Sequence, residues 1–290
     1  MTMNFDDQVV LVTGSGRGLG KAFALYLAEQ GATVVVNDSG SGSGQAVTDQ
    51  IQSADRRAYY VPGAVEDSAQ LIESIVDLTG RLDAVIHNAG FVRDKTVRKM
   101  SSEQWDQVLS VHLKAAFGLS QAAWPHFEEQ GGGRLVFISS ASGLYGNFGQ
   151  ANYAAAKAGM HGLAQTIELE GAQANICCNC VAPFGATEMN SANMPEELKA
   201  VIKPEYIAPL VAYLSHPDCQ ESGSLFEASA GVYKKVRWER AAGLQLDPSN
   251  GISLDDIADN WEQVTSFDQT EHPTEMREAL QGMWQLQVPK

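Results

Sequence analysis

Basic charge, cysteine and long apolar runs are what this chain has little of. Its 20 lysines and arginines face 35 acidic residues, for a formal net charge of −15 and a pI near 4.7. That balance argues against nucleic acid as a partner, because phosphate backbones need a basic face. It also repels anionic substrates, so one would need a local basic site. No stretch approaches the ~20 apolar residues of a membrane span, and no membrane partner is expected. Met1–Gln8 is polar and acidic, unlike a secretory leader, and the terminal Gln287-Val288-Pro289-Lys290 carries no Ser-Lys-Leu address. Three of the four cysteines (Cys177, Cys178, Cys180) crowd one short apolar stretch, with Cys219 apart and no His at metal-ligand spacing. Reduced, buried thiols in a cytoplasmic protein, and no metal, are the expectation.

What is present suits a soluble globular chain: 290 residues, 44% apolar and 19% charged, enough for one large α/β domain with an appendage. Gln8–Thr13 is a nearly continuous apolar run, as in a strand buried on both faces of a parallel sheet. A glycine-rich loop follows (Thr13-Gly14-Ser15-Gly16-Arg17-Gly18-Leu19-Gly20), then an amphipathic helix over Lys21–Gln30 and a second strand over Thr33–Asn37. Glycines at 14, 16, 18 and 20 let the backbone approach a pyrophosphate whose charge rests on the helix N-terminus. Asp38, ~20 residues on, is placed to hydrogen-bond a ribose diol and to oppose a 2′-phosphate. Arg17 points the other way, toward NADP; Asp38 occupies the place of the extra phosphate, so NAD is the expected cofactor.

Ser39–Gly44 reads as a link within the domain, after which strand and helix keep alternating: helix 45–56, strand 58–62, helix 67–79, strand 82–87. The last strand ends in Asn88-Ala89-Gly90, which should meet the glycine loop at the carboxyl edge of the sheet. Ser101–Gln104 has capping-box form, and one helix is expected from there to Trp124, stopping before Pro125. His112 lies within it, as a structural hydrogen-bonder or as part of a proton relay.

The stretch from Ser139 to Lys157 concentrates the chemistry. Hydroxyls close the apolar run Arg134–Ile138, a glycine-rich loop follows, and an alanine-rich helix carries Tyr153 and Lys157 one turn apart. A phenol of ordinary pKa ~10 is a poor proton carrier at neutral pH, and a neighbouring ammonium favours the phenolate. Ser140 would hold a substrate oxygen against that phenol. Alone, Tyr-x-x-x-Lys on a helix is common and often only a solvated face; its company gives it weight.

Thr13–Gly20, Asn88-Ala89-Gly90, Ser140, Tyr153 and Lys157 together resemble the short-chain dehydrogenase/reductase family, collinearly from about Gln8 to Gly231. The resemblance implies a doubly wound, Rossmann-type seven-stranded parallel sheet and hydride transfer with a nicotinamide cofactor. Tyr153 would be general acid/base, Lys157 would lower its pKa and bind the nicotinamide ribose, and Ser140 would orient the substrate. Asn88, Ala89, Gly90, Pro183 and Thr187 would join the glycine loop and Asp38 around the cofactor. The family usually has Asn where His112 stands. A narrower resemblance rests on Val111-His112-Leu113, Ser139–Lys157, Lys203–Pro209 and Gly231–Gly243. It is to the group forming the (3R)-hydroxyacyl-CoA dehydrogenase part of peroxisomal type 2 multifunctional enzymes, where His at that place is ordinary. Two departures stand out: Gly63 replaces a usual acidic adenine contact, and the loop after Pro183 differs.

The resemblance implies oxidation of a (3R)-3-hydroxyacyl-CoA, as a step of fatty acid β-oxidation, by a free-standing homodimeric dehydrogenase. Its catalytic domain would span 1–230, with a helical C-terminal extension over 231–290 packed on the same domain or on a dimer partner. Two helical patterns (253–265 and 274–286) mark that extension. Basic residues Arg93, Lys95, Arg98 and Lys99, and Lys234, Lys235, Arg237 and Arg240, would suit the phosphates of an acyl-CoA; equally, they would pair with nearby acids. Two other functions remain open: oxidation of a steroid, steroid-CoA or other bulky alcohol, and a non-catalytic nucleotide-binding partner of a hydratase.

Overall fold

Short runs such as Val9–Val12 and Leu135–Ile138 are apolar and β-branched or aromatic, and they are fully buried. Burial on both faces makes such runs pair in parallel beneath helices. The computed structural model describes residues 3–40, 42–186 and 194–284. Strands and helices alternate as β1 (Val9–Val12), α1 (Gly18–Glu29), β2 (Thr33–Asp38), α2 (Ser43–Ser53), β3 (Ala58–Pro62), α3 (Ser68–Thr79) and β4 (Ala84–His87). There follow α4 (Ser102–Leu109), α5 (Ala115–Gln130), β5 (Gly133–Ile138), α6 (Ala141–Tyr145), α7 (Ala151–Gly171) and β6 (Ile176–Pro183). Then come α8 (Glu196–Val201), α9 (Ala208–Ser215), β7 (Leu225–Ser229) and β8 (Val232–Val236).

The sheet order is β3-β2-β1-β4-β5-β6-β7-β8. The chain moves outward from β1 to β3, returns beside β1 as β4, and then moves out on the other side. The switch therefore lies between β1 and β4, with Val12 level with Val36 on one neighbour and Ile86 on the other. β1 to β7 pair in parallel. Alternation sends Val10, Val12, Val34, Val36, Ile86 and Val136 to the face that packs on Phe23, Leu27, Val211 and Leu214. Leu11, Val35, Val85, Leu135 and Phe137 are left for the other face, and all are fully buried. Each such side chain contributes roughly 1.5–3 kcal/mol.

The sheet has eight strands, one more than expected. β8 follows β7 across Ala230 (φ 51°) and Gly231 (φ 76°), the two left-handed residues of a type I′ hairpin turn, so it runs back antiparallel. It lacks the signature of a buried strand because Val232, Tyr233, Lys234 and Lys235 are exposed.

The expected single helix from Ser101 to Trp124 is three segments. Ser101 begins α4 with a reciprocal cap: its hydroxyl accepts from Gln104 N at 3.1 Å, and Gln104 Oε1 accepts from Ser101 N at 3.1 Å. A π-turn over Ser110–Lys114 then joins α4 to α5. α5 runs through Pro125 and ends at Gly131, whose φ is 80°. Pro125 removes only the bond to the Gln121 carbonyl, and both residues are on the exposed side, where water replaces the lost donor.

By its contacts the chain divides into two compact units, Met1–Lys235 and Val236–Lys290. The second contains a two-stranded antiparallel ladder, β9 (Arg240–Ala241) with β10 (Thr270–Glu271). Its helices are α10 (Leu254–Asp259), α11 (Trp261–Thr265) and α12 (Met276–Trp284). The expected helix over 253–265 is thus broken at Asn260, although its capping box, Ser253 with Asp256, is formed.

Candidate active site

Parallel strands bring the residues that follow β1, β2, β4, β5 and β6 to one edge of the sheet. Thr13, just beyond β1, ties the switch together. Its hydroxyl accepts from Asn88 N at 3.1 Å and Ala89 N at 3.0 Å. Asn88 returns the link, donating through Nδ2 to Thr13 O at 3.1 Å and Gly14 O at 3.0 Å. Gly14 (φ 61°) has no room for a side chain: a Cβ there would lie 2.7 Å from Ala89 Cα. At Gly20 it would meet the Gly14 carbonyl and Asn88 Nδ2. The glycine loop is therefore pressed against Asn88-Ala89 and leads into α1, with Arg17 at the N-cap and Leu19 packed on the core cluster.

Asp38 ends β2 beside the same loop. Its carboxylate accepts from Ser43 Oγ at 2.6 Å and from Gly40 N at 3.1 Å, and a side chain at Gly16 would run into it. A side-chain-free loop leading to a helix N-terminus, with a carboxylate held on its flank, fits a dinucleotide: pyrophosphate over the glycines, ribose at the acid. Gly63 stands close by, its N–H donating to Asp38 O at 3.1 Å. Pro183 closes β6 at this edge, with Val181 level with Ile138. Thr187 lies outside the described residues.

Ser140, Tyr153 and Lys157 meet beyond β5. Ser140 N-caps α6 by accepting from Ser142 N at 3.2 Å, and its hydroxyl acts on the Tyr153 phenol, lowering its pKa. The Lys157 ammonium stands 5.5 Å from the centroid of the Tyr153 ring and donates to Ile138 O at 2.5 Å. Ser139 Oγ donates to Lys157 O at 2.9 Å, locking α7 to the end of the strand. Gly143 leaves no space for a side chain against the Lys157 backbone, so α6 and α7 pack closely.

The electrostatics differ from the reading in which Lys157 draws the phenol down. Burial lowers the Lys157 ammonium itself to about 7, so much of its charge is gone at neutral pH. Burial also raises the Tyr153 phenol; the Ser140 hydrogen bond lowers it, and Asp94 raises it further. The phenol is the proton-donating form in this environment.

His112 occupies the π-turn, and its ring meets Tyr153 edge-on at 5.2 Å between centroids. A side chain at Gly90 would overlap the imidazole, which explains that glycine. His112 Nε2 is 2.8 Å from Phe91 O and 3.2 Å from Phe91 N. The shorter contact favours Nε2–H as donor, leaving Nδ1 a buried acceptor with no protein partner. Burial first, then Lys157, pushes this imidazole well below its ordinary value.

Three contributors were not singled out from the sequence. His87, at the end of β4, sits between Thr13 Oγ (3.1 Å from Nδ1) and His112 O (3.0 Å from Nε2). Its signal was a lone imidazole ending an otherwise apolar strand. Asp94 and Gln150 adjoin the site from two loops, with Gln150 Nε2 donating to both Asp94 oxygens at 3.3 and 3.2 Å. Nothing in their spacing foretold the pairing.

The two basic clusters separate. Arg93 lies 4.6 Å from the centre of the Phe91 ring, and Lys95, Arg98 and Lys99 are exposed nearby; no ion pair to an acid is found for these four among the described residues. In the other cluster, Lys235 pairs with Glu221 at 2.7 Å and Arg240 with Glu271 at 2.6 Å. Those two cations are engaged locally, each within its own unit.

A family model described as short chain dehydrogenase matches residues 8–198. The peroxisomal multifunctional enzyme type 2 of Mus musculus is 43% identical over 291 residues, covering 97% of this chain and 40% of that protein. The solved full-length peroxisomal multifunctional enzyme type 2 of Drosophila melanogaster superposes with a TM-score of 0.86 at 37% identity. That match covers 98% of this chain and 50% of the fly chain. A short chain dehydrogenase structure from Mycobacterium avium gives 0.82 at 31% identity, covering 94% of this chain and 98% of that one. The chain thus spans half or less of the mouse and fly proteins and nearly all of the mycobacterial one. Among the described residues no helix is long and apolar enough to cross a membrane.

Proposed function

The chain belongs to the short-chain dehydrogenase family, and from that premise we propose that it oxidises (3R)-3-hydroxyacyl-CoA to 3-ketoacyl-CoA, reversibly and with NAD. The observation that carries the reading is the Tyr153 phenol set between the His112 ring and the Lys157 ammonium one turn further on, with Ser140 beside it, at the carboxyl edge near the switch point. Gly14, Gly16, Gly18, Gly20 and the start of α1 would receive the pyrophosphate, Arg17 and Leu19 flanking it, and Asp38 the adenosine ribose. Asn88, Ala89, Gly90, Pro183 and Thr187 would line the nicotinamide side, with Lys157 on its ribose. Bound NAD supplies the hydride acceptor for C3 of the substrate.

The chain's own residues handle the proton. Ser140 orients the C3 oxygen, and Tyr153 accepts the hydroxyl proton in oxidation or returns it in reduction. Because the phenol is held up by burial, oxidation draws on its ionised fraction and accelerates as pH rises, whereas reduction uses the form dominant at neutral pH. His112, with Nδ1 as a buried acceptor, would pass protons onward.

For the acyl-CoA class, support comes from the multifunctional relatives and from Arg93, Lys95, Arg98 and Lys99, which make no ion pair among the described residues. Reversing those four charges should raise KM for the acyl-CoA and leave a CoA-free alcohol unaffected. The exposed Trp105, Phe117 and Leu169 on α4, α5 and α7 support a homodimer, testable by sedimentation. Cytoplasmic residence is part of the proposal; the word peroxisomal belongs to the relatives. The decisive experiment follows NAD reduction with R- and S-3-hydroxyacyl-CoAs and free sterols. Turnover of the R esters, abolished in Tyr153→Phe with NAD binding retained, is expected. Turnover of sterols alone, or an active Tyr153→Phe, would overturn the reading.

A further inference from the structure

The loop carrying Asp94 and the loop carrying Ser140 come from different parts of the chain, yet one side chain spans them. Gln150 Nε2 donates to both Asp94 oxygens at 3.3 and 3.2 Å, while its Oε1 accepts from Ser142 Oγ at 2.9 Å and Asn147 Nδ2 at 3.0 Å. Ser142 N in turn donates to Ser140 Oγ at 3.2 Å, and the Ser140 hydroxyl acts on the Tyr153 phenol, lowering its pKa. Hydrogen bonds therefore tie the Asp94 carboxylate through Gln150 and Ser142 to Ser140, the hydroxyl beside the phenol. The backbone supports the same junction: Lys95 N donates to Gly149 O at 2.8 Å, and Lys95 and Gln150 form a parallel bridge. Asn152 adds a second tie, donating to Arg93 O at 3.3 Å while accepting from Tyr153 N at 2.8 Å.

We propose that Gln150 is a positioning residue, whose side-chain amide splints the Asp94 loop to the Ser140 loop and holds the Asp94 carboxylate in place beside Tyr153. Three charged or titratable groups face the phenol. Lys157 comes from its own helix, His112 from the π-turn, and Asp94 from the loop after β4. Burial leaves His112 neutral and Lys157 only partly charged near neutrality, while the Asp94 carboxylate raises the phenol. A fixed anion there keeps the phenol protonated, the form that donates to a ketone, so Gln150 biases the pair toward reduction. This rests on the reading of Tyr153 as the acid/base.

The test titrates Tyr153 directly. With 3-fluorotyrosine incorporated, the fluorine resonance of residue 153 is identified by its absence in Tyr153→Phe and followed against pH, with neither substrate nor cofactor present. Asp94→Asn should lower the Tyr153 pKa by about half a pH unit, the effect of one solvent-screened charge at close range. Gln150→Met should lower it in the same direction by less, and the double variant should match Asp94→Asn alone. Ser142→Ala, which removes one of the two donors to Gln150 Oε1, should give a smaller shift of the same sign and serves if Gln150→Met does not fold. An unmoved titration in Asp94→Asn overturns the proposal. So does a Gln150→Met or Ser142→Ala protein that melts earlier but titrates like wild type, since that is bracing alone. If the proposed oxidation also holds, Asp94→Asn raises its kcat/KM at neutral pH about threefold; a shifted titration without that gain would count against the substrate reading and not against Gln150.

Discussion

His87 Nε2 lies 3.0 Å from the backbone carbonyl of His112, inside the π-turn that joins α4 to α5. The same carbonyl accepts from Ala115 N, so the imidazole takes its second lone pair. With Nε2–H donating there, His87 Nδ1 accepts from the Thr13 hydroxyl, which itself accepts from Asn88 N and Ala89 N. One neutral imidazole thus connects the long helix to the glycine loop.

That neutrality makes the fold acid-sensitive. Burial, followed by Lys157, lowers His87 to about 4, whereas in the unfolded chain it titrates near ~6.5. The folded pKa is the depressed one, so this contribution is complete above the unfolded value and is lost as pH falls from there toward 4. Between pH 7 and pH 5 the wild type should lose about 2 kcal/mol more than His87→Gln, which keeps a donor for His112 O without a titrating ring. Urea melts at the two pH values read the difference; equal losses would refute the assignment.

Lys157 makes a second stability prediction, at the alkaline end. Its folded value of about 7 lies far below the ~10.4 of a free lysine. Below pH 7 the buried ammonium costs the fold its full penalty, and the cost is recovered as pH rises toward the unfolded value. Lys157→Met should therefore gain on wild type at pH 6.5 and lose that advantage by pH 9.5, by a difference of roughly 3 kcal/mol. The orphaned Ile138 carbonyl shifts both points alike. A gap that does not change with pH would mean the ammonium is not penalised by burial.

Much of this architecture was legible in the chain itself. Runs such as Val9–Val12 and Thr33–Asp38 need burial on both faces, and Gly14 and Gly20 stand where backbone must touch backbone. Tyr153 and Lys157 share a helix face by arithmetic alone. What was not legible depends on contacts between distant segments. The π-turn has no local signature; it lies where the His112 ring is seated over Gly90 and the His112 carbonyl meets His87. Asp94 and Gln150 are 56 positions apart. The phenol's raised pKa follows from burial, which spacing does not report. β8 escaped because an exposed edge strand needs no apolar pattern, and Pro125 misled because a solvent-facing carbonyl tolerates the missing donor.

In the proposed reading, the choice of NAD over NADP rests on Asp38. Its carboxylate, held by Ser43 Oγ and Gly40 N, lies against Gly16, and a 2′-phosphate brought there meets like charge. Asp38→Asn keeps the size and removes the charge. The preference for NAD over NADP, as the ratio of kcat/KM or of binding constants, should fall by about tenfold or more, each tenfold being ~1.4 kcal/mol. An unchanged ratio would mean the discrimination lies elsewhere, with Arg17 the first residue to examine.

The hairpin that adds β8 carries a correctable strain. Ala230 adopts φ 51° with its side chain exposed, and Gly231 follows at φ 76°. A left-handed alanine pays roughly 1–2 kcal/mol for the clash of its Cβ with the following carbonyl. Glycine at 231 already has the freedom the turn needs; only position 230 is mismatched. Ala230→Asn restores the Asn-Gly pair that type I′ turns favour and should stabilise the first unit by about 0.5–1 kcal/mol. Ala230→Val, β-branched at the same φ, should destabilise it by more than 1 kcal/mol, roughly. Matched urea midpoints decide the matter: if asparagine and valine shift them equally, the turn is not the left-handed hairpin described, and β8 does not owe its place in the sheet to these two residues.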